Sequence, residues 1–141
     1  MAEIILPANN WTPRPHQRRA WAEIQGGKKR AALCWPRRYG KDDFSLHMTA
    51  CKAFERVGNY AHCLPQANQV RKAIWKAVNP RTGRLRIDEA FPHELRRKTL
   101  DNEMMIEFIN GSHLAGSRQR QLWRANWFRS CRDCVLRMGA K

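Results

Sequence analysis

The sequence predicts an α/β fold, a parallel sheet with helices on its faces, and three observations lead there. Short apolar runs at Ala31 to Cys34 and Tyr60 to Leu64 have the composition of buried strands. Each run precedes apolar residues at helical spacing: Phe44, Met48 and Cys51 after the first, and Val70, Ala73, Ile74, Ala77 and Val78 after the second. Strands that alternate with helices in this way join through right-handed crossovers, and ligands gather at the carboxyl ends of such strands.

Taken in order, Pro13 and Pro15 open a helix that carries Gln17, Trp21 and Ile24 on one side and stops at Gly26-Gly27. Ala31 to Cys34 is short enough to be helical by pattern alone, and its context assigns it to a strand. Trp35 to Gly40 makes a turn, a helix runs from Asp43 until Gly58 ends it, and the second strand is closed by Pro65. Residues 79 to 103 are polar and hold Pro80, Gly83 and Pro92, so they read as loop with a short helix around His93 to Lys98. Met104 to Phe108 and His113 to Ala115 form a hairpin about Asn110-Gly111, whose positive φ angles suit a two-residue turn.

A chain of 141 residues holds one domain with a sizeable core and excludes two. No apolar run approaches the roughly 18 residues of a membrane span, and no basic-then-apolar leader opens the chain, so the expected compartment is the cytoplasm. The five cysteines, Cys34, Cys51, Cys63, Cys131 and Cys134, are odd in number and mostly lie in apolar stretches, which suits thiols. A formal charge of +15 favours polyanionic partners through phosphate contacts and counterion release.

The loop Trp35 to Asp43, WPRRYGKDD, stands between the first strand and its helix. A phosphate-binding loop needs open backbone amides at a helix start, a lysine for the β and γ phosphates and an oxygen ligand for Mg²⁺. Gly40 and Lys41 fill the last fixed positions of that motif, whereas Trp35 stands at its first glycine and Asp42 replaces the hydroxyl residue. Asp42 offers a hard carboxylate oxygen to Mg²⁺, yet its charge repels phosphate unless the metal intervenes. Taken alone, Gly40-Lys41 would read as a solvated charged loop; its position between strand and helix is what raises it.

Together with Pro15, His16 and Gln17, Arg37 to Lys41, the segment CLPQANQVRKAIW, Asn110-Gly111-Ser112 and Gly116-Ser117, this loop makes the chain resemble the N-terminal ATPase domain of phage terminase large subunits, across roughly residues 7 to 117. The resemblance implies a P-loop NTPase-type parallel sheet, here incomplete, and a motor that pumps double-stranded DNA. It implies ATP and Mg²⁺ as cofactors and a bacterial host cell as the setting. A terminase small subunit, a portal protein and a homo-oligomeric ring are the implied partners. It further implies that Gln17 reads the adenine edge, that Arg38, Tyr39, Gly40, Lys41 and Asp42 hold nucleotide, and that Arg37 or Arg38 is an arginine finger in cis. Such an arginine offsets the charge that phosphoryl transfer spreads over the γ oxygens.

Hydrolysis also needs an apolar strand ending in an acid, and none is found. Asp88-Glu89 follows a segment broken by Arg84 and Arg86, which argues against that role. The resemblance ends at Ser117. Residues 118 to 141 hold seven of the 27 Lys and Arg with Asp133 as their one acid, show neither structural period, and read as a separate, poorly ordered tail. Removing one base after Ser117 permits codons for Asp-Asn-Asp-Ser and Phe-Ser-Glu-Trp-Ala-Leu, strings like the family's continuation, so the tail reads as out-of-frame translation of a truncated motor that binds ATP without turnover. Two other readings stand beside this one: a helicase-like DNA-dependent ATPase, and a basic nucleic-acid-binding protein whose Trp123, Trp127 and Phe128 stack on bases between arginines. Cys131 and Cys134 supply only two of the four ligands of a structural zinc site.

Overall fold

The computed structural model describes residues 4–28, 31, 33–36, 38–64, 67–118 and 135–137, with the backbone alone at 64, 67, 117, 118 and 135–137. The chain is mixed α/β. Its helices are α1 (Arg18–Gln25), α2 (Lys41–Glu55), α3 (Ala67–Val70, running on into a π turn, Arg71–Trp75) and α4 (Arg86–Ala90). Its strands are β1 (Asn59–Leu64), β2 (Arg96–Leu100), β3 (Met105–Phe108), β4 (His113–Arg118) and β5 (Val135–Arg137).

The sheet has the order β2-β3-β4-β1-β5. β1 pairs in parallel with β4 on one side and β5 on the other, while β2, β3 and β4 are antiparallel. The expected all-parallel sheet is thus corrected to a mixed one, because the β3–β4 hairpin reverses the chain beside β1. The strand expected at Ala31 to Cys34 is likewise corrected. Ala31, Leu33 and Cys34 carry no regular structure, and Ala32 lies outside the described residues. Both edges of β1 are occupied, and Leu33 and Trp35 turn instead onto Phe44 and Met48.

α1 follows its proline signals and buries Ile24, with Gln17 and Gly26 as its caps. In α2 every residue from Phe44 to Cys51 is buried, so the helix is covered all round and not along one stripe. One side, with Leu46, Ala50 and Ala53, joins the main core of Tyr60, Val70, Ile74, Phe91, Ile106 and Phe108. The other, with Phe44 and Met48, meets Ile24 and the half-buried Trp11, Trp21, Leu33 and Trp35. Tyr60, near the start of β1, donates its hydroxyl to the Lys52 and Arg56 carbonyls near the end of α2, at 2.8 and 2.7 Å. The chain reverses there, so the start of α2 lies toward the carboxyl end of β1.

Three further expectations change. The helix expected through Val78 ends at Trp75, whose indole N–H donates to the Asp101 carboxylate at 2.9 Å, and Val78 is exposed. The helix expected around His93 to Lys98 is a 3₁₀ turn, His93–Leu95, followed by edge strand β2 with Arg97, Lys98 and Thr99 facing solvent. Charged edges of this kind discourage further strand pairing. The β3–β4 turn is longer than two residues. Gly111 alone in it takes a positive φ, 89°, its N–H donates to the Phe108 carbonyl, and the Phe108 N–H donates to the Ser112 carbonyl. Asn110 and Ser112 fasten this turn to the Ala53 carbonyl of α2, at 2.7 and 2.9 Å.

Gly116 has a packing role, since a Cβ there would stand 2.7 Å from Val70 Cγ1. Val135–Arg137, within the stretch read as a separate tail, pairs with β1. The other residues from 119 to 141, with Cys131, Cys134 and the three tail aromatics, lie outside the described residues. Among the described residues no helix is long and apolar enough to cross a membrane, and Cys34, Cys51 and Cys63 are thiols.

Candidate functional site

The loop before α2 is held from the side by the segment before α1. Gln17 is 1% exposed. Its Oε1 accepts the Arg14 N–H at 3.1 Å, and its Nε2 donates to the Tyr39 and Gly40 carbonyls at 2.9 and 3.2 Å. His16 Nε2 lies 3.1 Å from the same Tyr39 oxygen, and its ring meets those of Trp35 and Tyr39 edge-on. Both donors of the Gln17 amide are therefore committed to the loop, which gives this side chain a structural task.

The loop closes on Gly40, which caps α2 at φ 77°, ψ 30°. Glycine takes this left-handed conformation freely, and a Cβ at Gly40 would stand 3.0 Å from Gln17 Nε2. Arg38 has a positive φ of 63° and is exposed, as is Tyr39. Arg37 lies outside the described residues. The first helical hydrogen bond runs from Phe44 N–H to the Gly40 carbonyl at 3.0 Å. Among the described residues nothing accepts the Lys41, Asp42 and Asp43 amides, and the Lys41 ammonium acts on Asp42 by charge, pulling against the rise in its carboxyl pKa. This is the usual electropositive start of a helix, with one cation added.

Two carboxylates share that start. Arg86, at the beginning of α4, reaches across with Nη1 3.9 Å from Asp42 Oδ2 and Nε 3.8 Å from Asp43 Oδ1. Burial pushes both carboxyls above the ordinary aspartate range, against the pull of Arg86. Arg86 lies far along the chain on a helix too short to show a period, so its place at this site is not legible from the motif. Arg14 is a second residue that the motif did not indicate. Its guanidinium carbon stands 3.6 Å from where a Gly40 Cβ would be.

No family model, curated protein or solved structure matches the chain. The site's chemistry rests on its own geometry. Asp42 and Asp43 offer hard oxygen donors, and among the described residues no group of three or more His, Cys, Asp or Glu side chains could hold a metal ion. Asp88 and Glu89 lie on α4 and not at a strand end. Asp88 accepts from Arg96 Nη2 at 2.7 Å, and Glu89 accepts from Asn79 and Thr82. Both are engaged in holding the α4 region together. A depression of about 360 Å³ lined by Ala22, Glu23, Gly26, Gly27 and Lys28 lies at the opposite end of α1 from Gln17.

Behind the loop, His47 is buried and stacks on Trp11 with ring centroids 4.4 Å apart. Burial pulls its pKa down to about 4. His62 on β1 is brought down to about 4 by the same cause, and among the described residues neither of its ring nitrogens has a hydrogen-bond partner.

Proposed function

We propose that this chain binds the phosphates of ATP at the start of α2, as part of a DNA-packaging motor ATPase similar to the terminase large subunits. The observation that carries the proposal is the junction itself. A left-handed Gly40 opens α2 with three amides, those of Lys41, Asp42 and Asp43, that have no acceptor among the described residues, Lys41 is the first residue of the helix, and buried Gln17 holds the loop before it. Backbone donors aimed at one spot with an adjacent cation suit a polyphosphate, and the aligned peptide dipoles of a helix of this length add to the attraction.

Asp42, with Asp43 beside it, would hold Mg²⁺ through hard carboxylate oxygens, and the ion would draw charge from the bound phosphates. Arg38 at the loop's crest, and Arg37 beside it in sequence, are the candidate arginine fingers. The acids available for a second metal-and-water site, Asp88 and Glu89, are tied to Arg96, Asn79 and Thr82, which supports binding without turnover. The net charge of +15 supports a polyanionic partner, and the resemblance makes that partner double-stranded DNA. A ring of copies with a small subunit and a portal protein is proposed on the resemblance alone, as is a shift of reading frame after Ser117, which the base sequence of the gene checks directly.

Calorimetry on the full chain tests the nucleotide proposal. Mg·ATP should bind, and Lys41→Ala should weaken binding at least about tenfold, a loss of roughly 1.4 kcal/mol. Unchanged affinity in a folded Lys41→Ala variant contradicts the proposal. A second reading, a basic nucleic-acid-binding protein, is favoured by the outward Arg97 and Lys98 on edge strand β2. It requires steeply salt-dependent DNA binding that Lys41→Ala leaves intact.

A further inference from the structure

An acid in the first turn of a phosphate-binding helix is a liability, and α2 has two, Asp42 and Asp43. Each repels an incoming phosphate unless a cation stands between them. Arg86 is placed to be that cation. It reaches over from α4 and sets its guanidinium 3.8 to 3.9 Å from both carboxylates. These separations give charge neutralisation without hydrogen bonding. Among the described residues no acceptor takes a hydrogen from the Arg86 side chain, and its Nε is buried without a partner. An arginine set to close an ordinary salt bridge makes short, often bidentate contacts, as Arg96 does with Asp88 at 2.7 Å nearby. Arg86 instead stands within 3.9 Å of both carboxylates without closing a short contact to either.

Resting on the nucleotide reading above, we propose that Arg86 is a positioning residue of the phosphate site, a built-in counter-cation for Asp42 and Asp43 that lets a polyphosphate approach the α2 amides before any divalent ion is present. The carboxylates face a fixed monovalent cation in the empty site and share a divalent ion in the loaded one. Arg86 then makes affinity for metal-free polyphosphate possible, while the affinity for the Mg²⁺ complex depends on it far less. The nearby charges enter the same balance. Lys41 and Arg14 lie on the loop side, and Glu89 on α4 adds negative charge toward Asp43.

The test compares ATP affinity in excess EDTA and in Mg²⁺ for wild type, Arg86→Gln, Arg86→Lys and the double variant Arg86→Gln with Asp42→Asn, each checked for folding by circular dichroism. Arg86→Gln should lose about tenfold or more in EDTA and under about threefold in Mg²⁺. Arg86→Lys should recover most of the loss, and Asp42→Asn should rescue Arg86→Gln in EDTA by removing the repelling charge. Equal losses in both conditions, or a double variant as weak as Arg86→Gln alone, overturn the role of Arg86. If Arg86→Gln fails to fold, the double variant measured against Asp42→Asn alone carries the comparison, since Asp43 still repels phosphate there and a loss in EDTA larger than in Mg²⁺ is expected. Lys41→Ala is measured alongside. If it binds like wild type, the nucleotide reading itself fails, whereas Lys41-dependent binding with no Mg²⁺-selective effect at Arg86 overturns this inference alone.

Discussion

The two sides of α2 are built differently, and the difference separates what holds the molecule together from what shapes its site. Toward the sheet, Leu46, Ala50 and Ala53 meet a closed core in which Val70, Phe91, Ile106 and Phe108 have no measurable exposure. Toward the loop, Phe44 and Met48 meet Trp11, Trp21 and Trp35, which remain half-buried, and the closure is completed by polar contacts from His16 and Gln17 and by the His47 ring stacked on Trp11. The sheet side fixes where α2 stands. The aromatic side fixes how the chain enters it, through hydrogen bonds and ring contacts that cost less to rearrange than a packed core.

That comparison can be broken most forcefully from the sheet side. Phe108→Ala removes a fully buried ring that packs on Phe54 and Phe91, and should cost about 3–5 kcal/mol in chemical denaturation. Its loss of nucleotide binding should track unfolding and vanish where the variant remains folded. A phosphate-site defect in folded protein would mean that the core shapes the site directly.

Acid loads both sides at once. His47 and His62 are neutral in the folded state down to about pH 4, whereas the unfolded chain protonates them near 6.5. Between these values the unfolded state binds more protons, so stability present above pH 6.5 is lost as pH falls toward 4, by about 3 kcal/mol per histidine. Urea midpoints between pH 7 and 4 measure this. His47→Gln should flatten the slope by about half, and a pH-independent midpoint would contradict the burial of both rings.

On the loop side the effects are smaller in stability and larger in binding. Gln17→Ala removes one donor each from the Tyr39 and Gly40 carbonyls and the acceptor of the Arg14 N–H, and should cost about 1–3 kcal/mol in denaturation. Its ATP affinity should fall further than Phe108→Ala lowers it at equal folded fraction. Gly40→Ala, strained at φ 77°, should cost only about 1 kcal/mol yet also weaken binding. Melting curves and calorimetry on the same samples decide both.

Much of this architecture was legible in the sequence where a local signal is strong. The prolines before Arg18, the glycines after Gln25 and the Gly40-Lys41 junction bound α1 and the start of α2 correctly, and Tyr60 to Leu64 reads as the strand it is. The failures share a cause. Ala31 to Cys34 looks apolar enough for a strand, but pairing depends on a vacant sheet edge, which no local pattern reveals. β2 reads as the end of a short helix running into loop because its middle residues, Arg97, Lys98 and Thr99, are all outward, so no alternation marks a strand. Arg86 was visible only as an interruption before Asp88-Glu89; its partners, Asp42 and Asp43, come from sheet-level packing of α4 on α2. The motif positions from Arg38 to Asp42 were legible, while the latch on them and the cation facing them were not.

The central claim is that phosphate meets the backbone at the start of α2, and amide chemical shifts read this residue by residue. Titrating ¹⁵N-labelled chain with ATP, and separately with adenosine, should move the Lys41, Asp42 and Asp43 amides with ATP alone, together with Gly40. Shifts confined to Gly26 through Lys28 at the far end of α1, or the same pattern with adenosine, would contradict it.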